Sequence, residues 1–146
     1  MQKQYISAIL LIVYSAILIK VMVFKEIPTI HIGHLMFNFG GAEAIHPANF
    51  IPFKTILPYF FGENGLIIAG INLVGNIVIL IPFGFLATVV YPKMTWKKSL
   101  ILAVATGLAI EIMQALFRVG IFDIDDVILN ALGVMIGFWL FRMYKK

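Results

Sequence analysis

Long apolar runs separated by short polar ones set the pattern of this chain. A membrane helix needs about 20 mainly apolar residues, and four windows qualify: about Tyr5–Phe24, interrupted by Lys20; about Leu66–Tyr91; about Leu100–Phe117; and about Asp126–Phe141. The first begins near a basic residue, Lys3, and stays apolar from Tyr5 to Ile19. No convincing small-x-small cleavage site follows, so it reads as an uncleaved anchor rather than a signal peptide. Between the first two windows lies a loop over about residues 25–65, with aromatics throughout and Gly or Pro at several breaks. Stretches such as Phe53–Phe61 predict short interfacial helices lying on the bilayer. Pro82 removes one helix hydrogen bond and predicts a kink in the second span. The echo of Ile51-Pro52-Phe53 in Ile81-Pro82-Phe83 is too short to be a repeat. The expected fold is an all-α membrane protein: four transmembrane helices and a long, partly interfacial external loop, in a single domain over residues 1–146.

Composition supports that expectation and narrows the rest. The chain is 62% hydrophobic and 12% charged, against roughly 25% charged in an ordinary soluble domain. The lack of cysteine excludes a disulfide scaffold and thiolate chemistry. A net charge of +4 is no argument for nucleic acid, since no basic stripe or aromatic platform accompanies it.

Charge placement predicts orientation. Lys3, Lys93, Lys97, Lys98, Arg142, Lys145 and Lys146 fall on one side of the four spans, and Lys25, Lys54 and Arg118 on the other. Both termini are therefore expected in the cytoplasm, with the long loop and the short 118–125 turn outside. The acidic residues lie on the outer side or, for Glu111, inside the membrane toward it.

Depth gives the sharpest signal. At about 1.5 Å of rise per residue, Asn72 and Asn76 lie roughly 9 and 15 Å below the outer start of the second span. Glu111 and Gln114 lie about 5–9 Å inside the outer end of the third, and Asn130 roughly 6 Å inside the fourth. Lys20 is one turn from the outer end of the first. Four spans thus place polar groups in one outer layer. Glu111, Gln114 and Arg118 have the spacing of one helical face, as do Asp126, Asn130, Gly133 and Gly137. Intramembrane polar groups are costly and normally face the bundle interior, which predicts a common outward-opening pocket.

Each group also has a plainer reading. The amides can be interhelical glue, Gly133-x-x-x-Gly137 a close-packing motif, and Lys20 a snorkelling side chain. Asp123 or Asp125 can cap the fourth helix, with Asp126 in its first turn. Asp123-x-Asp125-Asp126 could hold a hard cation, and His31, His34 and His46 a zinc ion, but neither set has a companion ligand at a recognisable spacing; no metal and no cofactor are expected. Glu111 is the acid with no ordinary structural reason to be where it is. A lone ionised carboxylate at that depth is strongly disfavoured. Burial favours its protonated form, a close cation such as Arg118 or Lys20 its ionised form, and both remain open.

The ordered motifs resemble the VanZ-like family of small integral membrane proteins. They are Asn49-x-Ile51-Pro52-Phe53; Asn72-x-x-Gly75-Asn76 followed by Pro82-Phe83-Gly84; Glu111-x-x-Gln114-x-x-x-Arg118; and Asp123-x-Asp125-Asp126-x-x-x-Asn130-x-x-Gly133. The resemblance covers roughly residues 49–138 and implies an association with low-level resistance to the lipoglycopeptide teicoplanin. The expected pocket residues are Asn49, Asn72, Asn76, Glu111, Gln114, Arg118, Asp123, Asp126 and Asn130. Its expected partners are membrane lipids and either a lipoglycopeptide or a lipid-linked wall precursor, held without catalysis. An alternative is an intramembrane enzyme acting on a lipid-linked substrate, with Glu111 or Asp126 as acid or base and Arg118 on a phosphate. A transporter is a third reading, disfavoured by the few polar residues in the inner half of the bundle.

Overall fold

Two of the long helices begin where a side chain caps them. In the computed structural model, which describes residues 2–23, 30–32, 35–37, 48–60 and 66–145, five helices and two short strands follow in order: α1 (Gln2–Val23), β1 (Ile30–Ile32), β2 (Leu35–Phe37), α2 (Ile56–Phe60), α3 (Leu66–Val90), α4 (Trp96–Leu116) and α5 (Ile124–Tyr144). Between α3 and α4 the Met94 amide donates back to the Tyr91 carbonyl at 2.9 Å, closing a turn with Pro92 at the position where its fixed φ fits. Thr95 then caps α4 through the Lys98 amide. This cap starts the helix one turn before the expected Leu100. The first turn carries Trp96, Lys97 and Lys98, whose charges hide it from a count of apolar residues. α5 likewise starts at Ile124 rather than Asp126, because Asp123 caps it.

Among the described residues, four helices are long and apolar enough to cross a membrane: Tyr5–Val23, Leu73–Val90, Trp96–Leu116 and Ile124–Tyr144. Their outer faces carry exposed Ile, Leu, Val and aromatic side chains along α1, α3, α4 and α5, far more apolar surface than a water-soluble monomer shows. The chain is a multi-pass, all-α membrane protein. Among the described residues of the long loop, β1 and β2 depart from the all-α pattern as an antiparallel pair with Ile30 opposite Phe37. α2 falls inside the 53–61 stretch expected to be helical.

α5 is the central helix. Of its span, 56% is buried, against 17% for α1, and it packs against both α3 and α4. α3 and α5 run in the same direction at backbone contact. A β-carbon on Gly133 would collide with the Ile77 carbonyl, one on Gly137 with the Ile81 carbonyl, and one on Gly84 with the Val134 carbonyl. The small residues therefore do close the helices together, as the spacing implied. α4 runs antiparallel to α5, and there a β-carbon on Gly107 would sit 2.9 Å from the Val127 carbonyl. α1 lies outside this trio, tied to α3 by the Tyr14 hydroxyl, which donates to the Ile79 carbonyl at 2.6 Å. Leu18, Met22, Leu80, Ala103, Ile110 and Val134 form the core between the four helices. α3 stays helical through Pro82, which is exposed on its surface.

Candidate functional site

Two of the motifs, 70 residues apart in the chain, interlock at one end of the bundle. The Asn49 amide donates to the Phe122 carbonyl at 2.8 Å, and the Ile124 amide donates to the Asn49 carbonyl at 3.0 Å. The Asn49 side-chain nitrogen donates to Asp123 Oδ1 at 2.9 Å and to Thr55 Oγ1 at 3.1 Å, while Thr55 Oγ1 donates to Asp123 Oδ2 at 2.6 Å. Phe53, at φ 67°, turns the chain so that three backbone amides face Asp125. The Phe53 amide donates to its Oδ1 at 2.5 Å, and the Thr55 and Ile56 amides to its Oδ2 at 2.7 and 3.2 Å. Asp125 is completely buried. A fully buried carboxylate persists only when its oxygens are satisfied, and here the loop backbone supplies the donors. Phe50 stacks on Phe122, ring centroids 5.2 Å apart, over the same joint. Thr55 gave no sequence signal; it is a single hydroxyl in an apolar loop.

Glu111 has a structural task after all. Its Oε2 accepts the Asp123 amide at 2.9 Å. Asp123 is the N-cap of α5 and its own Oδ1 accepts the Asp125 amide at 2.9 Å. In a capping box, the acid three residues into the helix reaches back to the N-cap amide. Here that acid is Asp126, yet Glu111 takes the bond from across the bundle. Asp126 is thereby released from capping and turns to α3, where its Oδ1 accepts from Asn76 Nδ2 at 2.8 Å. The plain reading of the aspartates holds for two of them: Asp123 is the cap and Asp126 lies in the first turn, where it also meets α3, while Asp125 holds the loop.

The remaining predicted residues divide. Gln114 Nε2 donates to the Met22 carbonyl at 2.7 Å, satisfying an end carbonyl of α1 that has no partner within its helix. Arg118 does not continue the Glu111–Gln114 face. α4 ends first: Phe117 is its C-cap, Arg118 adopts φ 56°, and the Arg118 and Val119 amides bond back to the Ala115 and Gln114 carbonyls at 3.2 and 3.0 Å. This closure usually has glycine at the left-handed position. Arg118 is exposed there, and Lys20 is exposed in the last turn of α1. Asn72 lies on α3, but its side chain, like His34 and His46, falls outside the described residues. Asn130 is completely buried, and neither its Oδ1 nor its Nδ2 has a hydrogen-bond partner among the described residues.

Three comparisons bear on this arrangement. The VanZ/LLP1 family profile matches residues 11–145. Protein VanZ of Enterococcus faecium is 32% identical over 75 residues, which are 51% of this chain and 47% of that protein; the match therefore spans about half the length of this relative. No solved structure matches the chain. With a profile match that runs from within α1 to just past the end of α5, and with Asn49 and Asp123–Asp126 brought to one joint, the chain belongs to the VanZ/LLP1 family.

Proposed function

We propose that this protein sits in the bacterial cytoplasmic membrane with both termini in the cytoplasm. The polar end of its bundle faces outward and binds an amphiphile there, a lipoglycopeptide tail or a lipid-linked wall precursor. Binding lowers the susceptibility of the cell to teicoplanin without catalysis. The observation that carries this reading is Arg118. A non-glycine residue in the left-handed region costs roughly 1–2 kcal/mol, and such strain concentrates at ligand-binding positions. An exposed arginine held there, at the rim of the end that gathers Asn49, Asn76, Glu111 and Asp126, suits bidentate capture of an anionic headgroup or carboxylate. The pocket residues are Asn49, Asn72, Asn76, Glu111, Gln114, Arg118, Asp123, Asp126 and Asn130.

The test is a teicoplanin and vancomycin susceptibility series in a host lacking the gene. Expression is expected to raise tolerance to teicoplanin more than to vancomycin; an equal change for both drugs, or none, defeats the proposal. Arg118→Gly separates strain from function. It relieves the left-handed backbone, so the thermal midpoint of the purified protein holds or rises, by about 1 kcal/mol of stability, while the tolerance is lost. Asp126→Ala is expected to lose it as well, and Lys93→Ala to keep it. A reporter fused after Lys146 should be active on the cytoplasmic side.

A second reading, an intramembrane enzyme acting on a lipid-linked substrate, draws on the release of Asp126 from capping. A carboxylate held beside an apolar interior is the type of group that serves as general acid or base. Envelope lipid profiles of cells carrying the wild type and Asp126→Asn distinguish the two: a lipid species altered by the wild type alone favours the enzyme.

A further inference from the structure

Asn130 is the least explained polar group in the bundle. It is 0% exposed, and both polar atoms of its carboxamide are without a protein partner among the described residues. Leaving a buried amide unpaired is costly, and buried polar groups in folded proteins nearly always have a partner in the protein or in ordered water.

The surroundings narrow what can meet it. Helical side chains lean toward the N-terminus of their helix, so the Asn130 carboxamide leans toward the turn that carries Asp126. One turn the other way on the same face is Val134, inside the apolar core. Asn76 is the nearest amide on α3 by register, but it is engaged with Asp126. Sliding α3 along α5 would carry bulkier residues to where Gly133 and Gly137 now meet the Ile77 and Ile81 carbonyls. The glycine contacts therefore hold the register, and Asn130 gains no partner by movement of the helices.

We propose that Asn130 and Asp126 form a closed site for one hydroxyl group, between α3 and α5. The carboxamide asks for a guest that both accepts, from Nδ2, and donates, to Oδ1. A hydroxyl does both, whereas a cation satisfies only the oxygen. The same chemistry comes from a buried water, which typically makes about three such bonds, or from an alcohol on a bound amphiphile. Either guest extends a hydrogen-bonded path from the Asp126 carboxylate one turn deeper into the bundle. The site rests on Asn130 itself and needs no antibiotic, so it stands or falls separately from the resistance reading.

The test is solid-state NMR of the full-length protein with ¹⁵N-labelled asparagine in bilayers, measuring polarisation transfer from hydroxyl protons to Asn130 Nδ2. Asn130→Leu identifies the signal by its loss; if that variant fails to fold, Asn130→Asp removes the same nitrogen with less change of shape. In phosphatidylcholine, which has no hydroxyl group, transfer from water identifies water as the guest. Transfer that arises only in phosphatidylglycerol, whose headgroup carries hydroxyls, identifies the alcohol. Absence of transfer in both lipids overturns the site.

Discussion

Asp125→Ala is expected to cost about 3 kcal/mol or more, the largest loss of any single polar substitution among the described residues. Its carboxylate accepts the amides of Phe53, Thr55 and Ile56 and is completely buried. Removing it strands three backbone donors at once, and each buried donor left unpaired costs roughly 1–3 kcal/mol. The Phe53 and Thr55 amides are only partly buried and the Ile56 amide is fully so, so the sum does not reach its upper limit. Asp125→Asn is expected to lose less, because one oxygen survives, but its new NH2 must face amide donors. Thermal unfolding of the detergent-purified protein measures both. A midpoint for Asp125→Ala within error of the wild type would show that the loop is held by something other than this carboxylate. Lys54→Ala is the control, since Lys54 is an exposed neighbour on the same loop.

Gly133→Ala has the second largest expected effect. The added carbon meets the Ile77 carbonyl oxygen and the backbone carbon behind it, not the flexible tip of a side chain. α3 and α5 must separate to admit it, and overpacking of this kind typically costs 1–3 kcal/mol. Gly75→Ala is the matched comparison. It lies on the same pair of helices but meets nothing within 4 Å, so alanine there is expected to be neutral or to gain roughly 0.5–1 kcal/mol from helix propensity. The contrast between the two alanines reads the closeness of the helices directly. Equal effects at the two positions would mean that α3 and α5 do not meet at backbone contact.

The four spans were legible because apolar run length depends on bilayer thickness alone. So was the gathering of polar groups at one end, since rise per residue converts position into depth. Boundaries were less legible: Trp96–Lys98 belongs to α4 because Thr95 caps it, and a count of apolar residues does not register a cap. The roles of the acids were hidden for a common reason. Glu111 and Asp125 both bond to backbone amides, and a sequence shows which side chains could pair but not where main-chain donors converge. Glu111 therefore looked like a charge without a purpose when it holds the N-cap of a neighbouring helix. Arg118 was misplaced on the Glu111 face because its helix ends in a left-handed residue without the glycine that announces one. Asp126 was hidden in the same way: its position suggests a capping-box acid, and its Oδ1 instead accepts from Asn76 on α3.

The joint between Asn49 and Asp123 also bears on how the protein is made. The amides of Phe53, Thr55 and Ile56 find their acceptor on a segment synthesised about 70 residues later, and chains emerge from the ribosome N-terminus first. Until α5 arrives, the amides of Phe53, Thr55 and Ile56 lack these acceptors, and the first three spans stand in the bilayer as an unfinished assembly. A segment inserted later is thus the one that fastens the first loop. A nascent chain halted after Leu116 should remain open to protease at residues 49–56, and extension through α5 should close that window in a single step.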